Sequence, residues 1–257
     1  MAEVSVTRRP LTQPKIRVLP DYESLSLAAA EKVSGRLRSK PEAVFLLPTG
    51  VTPLGMYRRL VEMHDRDGLS FAGAAFFNLD EYLDLDADHP ASYHAYMREN
   101  FYGLVDADPR RVHVPDGSAS DPEAECERYE AAMKEAGGVD LCVLGIGRNG
   151  HVGFNEPGAP FDSRTRVVRL AESTRRVNAG DFEGGRAPER AITVGMRTIF
   201  ESREIMLLAS GANKAQAVAA AMEGKISEAV PASMLRRRPE ATFLLDREAS
   251  SAIGEAG

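Results

Sequence analysis

Short apolar runs alternate along this chain with longer segments in which apolar residues recur at helical spacing. Several runs are almost wholly apolar, including residues 43–47 and 139–144, which is typical of strands buried on both faces of a parallel sheet. The runs predict β-strands at residues 16–19, 43–47, 74–77, 112–114, 139–144, 191–194, 205–209 and 242–245, with a partly exposed strand at 165–170. Helices are predicted between them, at residues 21–39, 54–64, 92–102, 121–135 and 212–223. This alternation predicts an α/β protein with a three-layer, Rossmann-like fold, in which helices cover both faces of a mostly parallel sheet.

The boundaries of the folded part follow from the same pattern. Residues 1–15 contain two arginines and two prolines without a regular period, so we expect a polar N-terminal tail. No internal repeat or low-complexity linker divides residues 16–257, which we therefore expect to form a single domain. The segment at about 162–187 includes a charged, glycine-punctuated stretch without a strong period, and we expect it to act as a lid.

The most informative polar loop follows the predicted strand at residues 139–144. Its glycines give the backbone freedom at the carboxyl end of a strand, where open α/β sheets bind their ligands. The loop carries Asn149, His151, Asn155 and Glu156. We therefore expect the chemistry of this protein to centre on this loop.

Nucleotide binding is one alternative for the same loop. Residues 145–150, GIGRNG, match the dinucleotide-binding fingerprint, which requires a helix to begin at the third glycine. Residues 151–160 contain two prolines and two more glycines, so no helix is expected there to face a pyrophosphate. An acidic residue at a suitable distance, Glu172, is weak evidence in a chain that is 27% charged. We therefore favour sugar-phosphate chemistry.

A second loop has the features of a phosphate site. The predicted strand at residues 43–47 is followed by Pro-Thr-Gly-Val-Thr-Pro and then by a helix. The backbone N–H groups of such a turn, its hydroxyls and the helix dipole all suit an anion, although a plain capped turn fits the composition equally well. The candidate phosphate ligands are Thr49, Gly50, Val51 and Thr52. Gly211 and Lys214 open the helix predicted at 212–223 and form a second candidate anion site.

Acidic residues follow the predicted strand at residues 74–77. Asp80 and Glu81 lie together just past the strand end, between Asn78 and Tyr82. Adjacent carboxylates at a strand end are candidates for proton transfer, while a solvated cap is the alternative that composition alone favours.

The next acidic residues imitate a calcium-binding loop. Asp84, Asp86 and Asp88 have the spacing of its first ligands. However, His89 stands where that loop needs glycine and Ala95 where it needs glutamate. We therefore predict no metal site.

Composition narrows the class of protein. The 257 residues are 43% hydrophobic and carry a formal net charge of −6, which argues against a general nucleic-acid binder. The two cysteines, Cys126 and Cys142, are expected to be reduced, packed residues of a cytoplasmic protein. No apolar run approaches the roughly twenty residues needed to cross a bilayer, and the N terminus lacks a signal-peptide core. We expect a cytoplasmic protein that does not enter membranes.

Several motifs occur together in a specific order. They are LPTGVTPLGMY at residues 47–57, FFNLDEYLDL at 76–85, HPASY at 89–93, LGIGRNGHVGFNEPG at 144–158, SGANKAQA at 210–217 and PAS at 231–233. In this order they resemble the deaminase branch of the glucosamine-6-phosphate deaminase and 6-phosphogluconolactonase family, over about residues 16–247. The lactonase branch usually reads Gly-His-Thr-Ala-Ser where this chain has residues 150–156, and Asp-Glu-Arg where it has residues 80–82. The deaminase branch is therefore the better match.

The resemblance implies a reaction and a set of partners. Family members open the ring of glucosamine 6-phosphate, move a proton from C2 to C1, and hydrolyse the resulting imine to fructose 6-phosphate and ammonia, as part of amino-sugar catabolism. No metal or organic cofactor is implied. We therefore expect a small phosphorylated amino sugar as the partner, neither nucleic acid nor membrane, and a monomer or small homo-oligomer.

The resemblance also implies the roles of individual residues. Asp80 would take the C2 proton, and His151 would handle the ring-oxygen proton during opening. Glu156 and Asn149 would orient and polarise that histidine. These residue types fit the chemistry, because a carboxylate can move a proton between neighbouring carbons and an imidazole exchanges one near neutral pH. Substrate and phosphate binding would fall to Thr49, Gly50, Val51, Thr52, Glu81 and Lys214.

The chain departs from the family pattern at two positions. Asn149 stands where many members have aspartate. In the lid motif, residues 174–180, Gly180 replaces the arginine expected to hold the substrate phosphate. Such a charge-assisted hydrogen bond contributes roughly 1.5 to 3 kcal/mol, about one to two decades of affinity. Arg176 and Arg186 are the candidate replacements.

Three further expectations concern allosteric regulation and the two alternative functions. Little sequence follows the last predicted strand, so we expect an enzyme without the allosteric activation of hexameric members. A hydrolase that opens a sugar-phosphate lactone with a His151-activated water is the alternative enzyme. A non-catalytic sugar-phosphate sensor is the alternative from another class, although it would have no need of Asp80, His151 and Glu156.

Overall fold

The computed structural model describes residues 14–182, 185 and 187–254, with the backbone alone at residues 173, 177, 178 and 181. Most of the predicted N-terminal tail lies outside the described residues, and so does Arg186. The assignment of residues 16–257 to one domain stays a prediction.

Strands and helices alternate along the chain. The strands are β1 (Lys15–Leu19), β2 (Val44–Leu47), β3 (Ala75–Asn78), β4 (Asp80–Tyr82), β5 (Val112–His113), β6 (Leu141–Gly145), β7 (Arg166–Arg169), β8 (Arg190–Thr193), β9 (Glu204–Ala209) and β10 (Ala241–Asp246). The helices are α1 (Tyr22–Ser39), α2 (Leu54–Asp67), α3 (Tyr93–Asn100), α4 (Pro122–Glu135), α5 (Glu172–Asn178), α6 (Met196–Phe200) and α7 (Ala215–Met222).

Seven of the strands form one sheet, in the order β1-β10-β9-β6-β2-β3-β5. Every neighbouring pair in this sheet is parallel. The other three strands form a small antiparallel sheet in the order β4-β8-β7. The predicted α/β fold with a mostly parallel sheet is confirmed, and the small second sheet is an addition that the sequence pattern did not predict.

The core has two halves, one on each face of the large sheet. Alternate residues of β2 separate cleanly, because Val44 and Leu46 join one cluster of buried residues while Phe45 and Leu47 join the other. Helices α1, α2 and α3 contribute buried residues to the cluster of Phe45, and α4, α6 and α7 contribute to the cluster of Val44. The predicted layers of helix, sheet and helix are therefore present.

Side-chain caps fix the start of three helices. The carboxylates of Asp21 and Asp121 accept hydrogen bonds from backbone N–H groups in the first turns of α1 and α4, at 2.8 and 3.0 Å. The hydroxyl of Ser92 accepts one from Ala95 at the start of α3, at 2.9 Å. These caps explain why the predicted starts of all three helices agree with the structure.

Other boundaries differ from the sequence-based expectations. The helix predicted at residues 212–223 begins as a 3-10 turn, Ala212–Lys214, before α7. The strand predicted at 165–170 belongs to the small antiparallel sheet, and the predicted lid contains α5. Among the described residues, no helix has the length and apolar character needed to span a bilayer. Cys126 and Cys142 are free and buried, as expected.

Candidate active site

Four neighbouring strands of the large sheet end at the same edge. In the order β9, β6, β2 and β3, they lead into residues 210–214, 145–158, 48–53 and 79–82. Because all four strands are parallel, their carboxyl ends lie side by side. The loops singled out from the sequence therefore meet at one edge.

Asp80 lies in β4, directly opposite Thr193 of β8, and only 5% of it is exposed. The loop after β6 packs closely against this pair. A Cβ atom placed on Gly153 would lie 3.1 Å from Asp80 Oδ2 and 3.2 Å from Thr193 Oγ1. The N–H of Phe154 also donates to Thr193 Oγ1, at 3.1 Å. The absence of a side chain at Gly153 thus lets the His151 loop come to rest beside Asp80.

Burial changes the acidity of Asp80. Desolvation raises the pKa of Asp80 to about 8, the negative charge of Glu81 adds to the rise, and a hydrogen bond from the Phe154 N–H opposes it. A carboxylate with a pKa near the working pH is a stronger base than an ordinary aspartate. The buried environment therefore raises the proton affinity of Asp80.

Glu81 faces a different part of the molecule, since consecutive strand residues point to opposite sides. Its carboxylate accepts backbone hydrogen bonds from Tyr82 at 2.8 Å, Tyr93 at 3.0 Å and His94 at 2.9 Å. Burial raises the pKa of Glu81 to about 7 against the effect of these donors. The contacts make Glu81 a cap for α3, whereas its assignment to substrate binding stays a prediction.

His151, Asn149 and Glu156 form one cluster in the loop after β6. His151 Nδ1 lies 3.4 Å from Glu156 Oε2, and Asn149 Nδ2 donates to the same oxygen at 2.7 Å. Asn149 Oδ1 accepts from the backbone N–H of His151 at 3.2 Å. Thr174 of α5 completes the cluster, since its hydroxyl donates to Glu156 Oε1.

The charge of Glu156 is fixed by these neighbours. Burial alone would raise the pKa of Glu156, but His151 and the donors Thr174 and Asn149 outweigh it and lower that pKa to about 2. Glu156 is therefore ionised at any pH where the protein works. This ionised carboxylate lies 3.4 Å from Nδ1 of His151 and holds the imidazole in its orientation.

Gly147 explains how the histidine ring is held. A Cβ atom on Gly147 would lie 2.2 Å from the imidazole of His151, so the ring rests directly on the glycine backbone. The N–H of Gly147 donates to the carbonyl of His151 at 2.9 Å. Only glycine at this position leaves room for the ring.

The predicted phosphate loop precedes α2. Gly50 has a φ of 99°, a conformation that favours glycine, and Val51 is 81% exposed. Tyr96 donates to the carbonyl of Gly50 at 2.6 Å, and Tyr22 donates to that of Val51 at 3.1 Å. Two carbonyl oxygens that would repel an anion are thus already hydrogen-bonded, while in the first turn of α2 the N–H of Gly55 donates to the Tyr22 hydroxyl at 2.8 Å. This geometry suits a phosphate at the loop.

Lys214 approaches the His151 loop from the neighbouring strand. Its ammonium donates to the carbonyl of Ile146 at 2.7 Å. The backbone N–H of Gly211 donates to Asp246 at 3.0 Å, and that of Ala212 donates to Glu248 at 3.2 Å. Carboxylates therefore occupy the N–H groups at the start of the 3-10 turn. Any anion binding here depends on the Lys214 side chain and not on the helix end.

Sequence reasoning missed three residues of this site. Thr193 faces Asp80, and Thr174 contacts Glu156. Tyr93 lies near Asp80, and the hydroxyl of Tyr93 interacts with the hydroxyl of Thr49. Thr174 and Tyr93 both stand within motifs that carried the family resemblance, which was the available signal. No local pattern indicated Thr193, because its partner lies far away in sequence.

The segment expected to form the lid includes β7, which pairs with β8, and the aromatic side chain of Phe182. The ring of Phe182 packs edge-on against Tyr82, with centroids 5.3 Å apart, and stacks on His89 at 6.0 Å. Arg176 is exposed and forms an ion pair with Glu172 of the same helix. It is therefore already engaged, and Arg186 lies outside the described residues.

No group of three or more His, Cys, Asp or Glu side chains suited to a metal ion occurs in the described part of the chain. In the segment that imitates a calcium loop, Asp84 forms an ion pair with Arg190 at 3.1 Å, and Asp88 forms one with Arg98 at 2.7 Å. These carboxylates are held by arginines of the protein.

Comparison with known proteins gives a consistent result. The chain is 44% identical over 240 residues to a glucosamine-6-phosphate deaminase of Thermoanaerobacter pseudethanolicus, which covers 93% of this chain and 95% of the relative. It is 48% identical over 238 residues to glucosamine-6-phosphate deaminase 1 of Bacillus subtilis, covering 92% and 98%. A solved monomeric glucosamine-6-phosphate deaminase superposes with a TM-score of 0.90 at 47% identity, covering 93% of this chain and 99% of that one. The profile of the family described as glucosamine-6-phosphate isomerases/6-phosphogluconolactonase matches residues 21–244, and the chain belongs to this family.

Proposed function

We propose that this chain is an aldose–ketose isomerising deaminase that converts glucosamine 6-phosphate to fructose 6-phosphate and ammonia. Its similarity to deaminases across nearly the whole chain supports the reaction. The structural observation that carries the proposal is the position of buried Asp80 against Gly153, in the loop that holds the cluster of His151 and Glu156. Asp80, which can accept a proton from carbon, thus lies close to the loop of His151, which can exchange a proton with oxygen.

Ring opening is the first step. The C1 hydroxyl loses its proton, the bond between C1 and the ring oxygen breaks, and the ring oxygen gains a proton. His151 exchanges these protons, and ionised Glu156 stabilises the imidazolium that forms transiently. Asn149 orients Glu156 through its 2.7 Å hydrogen bond and keeps the loop in place. The product of this step is the open-chain aldose.

Isomerisation and hydrolysis follow. The Asp80 carboxylate removes the proton from C2, and the electron pair of the C2–H bond forms the C1=C2 bond while the carbonyl oxygen on C1 gains a proton to give the enol. The Asp80 carboxyl then returns its proton to C1, and the nitrogen on C2 loses a proton and becomes an imine, which balances the proton gained by the C1 oxygen. Water hydrolyses the imine to the ketone and ammonia. Because one carboxylate takes and returns the proton, this route needs no oxidant or reductant.

Substrate binding uses the loop before α2 and the ammonium of Lys214. The residues are those expected from the sequence, Thr49, Gly50, Val51, Thr52 and Lys214. The hydrogen-bonded carbonyls of the loop and its position before the N terminus of α2 support a phosphate there. A monomeric or small homo-oligomeric state, the absence of nucleic-acid partners and a cytoplasmic location stay predictions.

Product analysis tests the reaction. Purified protein is incubated with glucosamine 6-phosphate, glucosamine or 6-phosphogluconolactone, and ammonia and ketose are followed together. We expect stoichiometric ammonia and fructose 6-phosphate from the first compound, with solvent deuterium entering at C1. Lactone hydrolysis without ammonia from the amino sugar would instead favour the lactonase, whose reaction needs no C2 proton abstraction.

A matched pair of variants tests the role of Asp80. Asp80→Asn should lower kcat by about 10³-fold or more, since the amide cannot accept the C2 proton. Its Tm should not fall, because the raised pKa of Asp80 means that burial of this carboxyl opposes folding at neutral pH. Asp84→Asn is the control, an exposed acid with a φ of 61° that asparagine tolerates. Equal loss of activity in both variants would show that Asp80 has no special role in the reaction. If the wild type showed no turnover and Asp80→Asn bound ligand as well as the wild type, the protein would be a sensor.

A further inference from the structure

Two cations at the carboxyl edge of the large sheet have no carboxylate partner within the described parts of the chain. Lys214 donates only to the carbonyl of Ile146, and Arg148 forms neither a hydrogen bond nor an ion pair. Other arginines near the site are engaged, as the pairs of Arg176 with Glu172 and of Arg190 with Asp84 illustrate. Unpaired cations in a protein of net charge −6 indicate a place for an anionic ligand.

The loop geometry holds the two cations near each other. A hydrogen bond of 3.0 Å from the Gly150 N–H to the Gly147 carbonyl closes a turn, with Arg148 at one of its two central positions. The carbonyl that receives the Lys214 ammonium belongs to Ile146, next to the first residue of this turn. The pKa of Lys214 is lowered, first by burial and then by the positive charge of Arg148. The two positive charges thus repel each other.

The turn also lies between the two halves of the expected phosphate site. In the sheet, β6 has β9 on one side and β2 on the other. The Lys214 segment follows β9, and the loop at residues 48–53 follows β2. Arg148, in the loop after β6, therefore occupies the middle of the three. An anion bound between residues 48–53 and Lys214 would therefore lie next to this turn.

We propose that Arg148 binds the phosphate of the substrate together with Lys214, opposite the loop at residues 48–53. This inference rests on the proposed function and names the residue that supplies phosphate affinity at the same site. Gly180 offers no side chain, and Arg176 is paired with Glu172. Among the described residues, the cation therefore comes from the loop after β6 and not from the α5 segment. Binding the phosphate also relieves the repulsion between Arg148 and Lys214.

Steady-state kinetics of three variants test the proposal. Arg148→Gln should raise KM for glucosamine 6-phosphate by about 10- to 100-fold while kcat changes by less than about threefold, because a binding contact and no proton-transfer group is lost. Arg148→Lys should recover part of the affinity, since the charge is kept. Arg38→Gln is the control, an exposed arginine in the last turn of α1 with no ion pair in the described residues. We expect its KM to equal that of the wild type.

Direct binding separates this inference from the proposed reaction. Isothermal titration calorimetry with fructose 6-phosphate and with inorganic phosphate should show weaker binding in Arg148→Gln and wild-type binding in Arg38→Gln. If the wild type released no ammonia while Arg148→Gln still lost phosphate affinity, the reaction would be wrong and the phosphate site correct. Wild-type affinity for both ligands in Arg148→Gln, or a fall in kcat at unchanged KM, would overturn the inference.

Discussion

At the residue scale, the raised pKa of buried Asp80 bears directly on its proposed role as a base. Burial raises its pKa to about 8, so in the free protein at neutral pH most molecules carry a protonated Asp80. A base must be ionised to act, so kcat/KM for glucosamine 6-phosphate should rise with pH and level off above about 8. The measurement is a pH–rate profile of kcat/KM between pH 5 and 9.5, about the range where such a group titrates.

Glu81→Gln provides the control for this profile. The charge of Glu81 contributes to the raised pKa of Asp80, so a neutral amide should move the rising limb to lower pH. Titration of the substrate is common to both proteins, so a difference between them reports the enzyme. A limb at the same pH in both proteins would show that Asp80 does not control the rate.

At the scale of elements, β4 positions two acids for different tasks. Asp80 faces Gly153, while Glu81 accepts three N–H groups at the start of α3, which carries Tyr93. Glu81→Ala leaves these buried donors unsatisfied, so we expect a loss of about 2 to 4 kcal/mol in the free energy of unfolding. Thermal and denaturant unfolding would measure it.

Asp121→Ala is the comparison for the capping role. Asp121 caps α4 through one backbone N–H and lies outside the site, so its loss should be about 1 kcal/mol with unchanged kcat. Equal destabilisation of the two variants would contradict the assignment of Glu81 as a threefold acceptor.

The secondary-structure elements also show which features could be predicted from local sequence patterns. Buried runs such as β2 and capped helices such as α4 were predicted, because burial and capping leave marks in adjacent residues. The strand β4 was not predicted, since its three residues include two acids and its pairing with β8 spans more than a hundred positions. The short helix α6 was also missed, because five residues carry too little periodicity.

Local sequence patterns were also insufficient to predict the geometry of the candidate active site. Motifs identified Asp80, His151 and Glu156, but the approach of Gly153 to Asp80 arises only when the loop after β6 meets the second sheet. Glu81 was grouped with the substrate ligands because it adjoins Asp80 in sequence. The alternation of side chains along a strand separates the two in space.

At the scale of the whole molecule, a rigid sheet edge supports a loosely attached segment. Residues of β6 are almost entirely buried between helix layers, whereas α5 is seven residues long and too short to be stable alone. The hydroxyl of Thr174 in α5 donates to Glu156, and Phe182, four residues beyond α5, packs on Tyr82. Ligand beside His151 and Glu156 should therefore restrain α5 more than any strand.

Amide hydrogen exchange measures this restraint. We expect saturating fructose 6-phosphate to slow exchange in residues 171–182 by roughly threefold or more, while β6 exchanges slowly in both states. Thr174→Val keeps the shape of the side chain and removes the hydroxyl that contacts Glu156, so it should abolish most of the protection of α5. Identical exchange of residues 171–182 with and without ligand would show that this segment does not close on the site. Protection that persists in Thr174→Val would instead place the coupling in the other described contacts of the segment, which are Phe182 with its aromatic neighbours and Arg175 with Ala187 and Glu189.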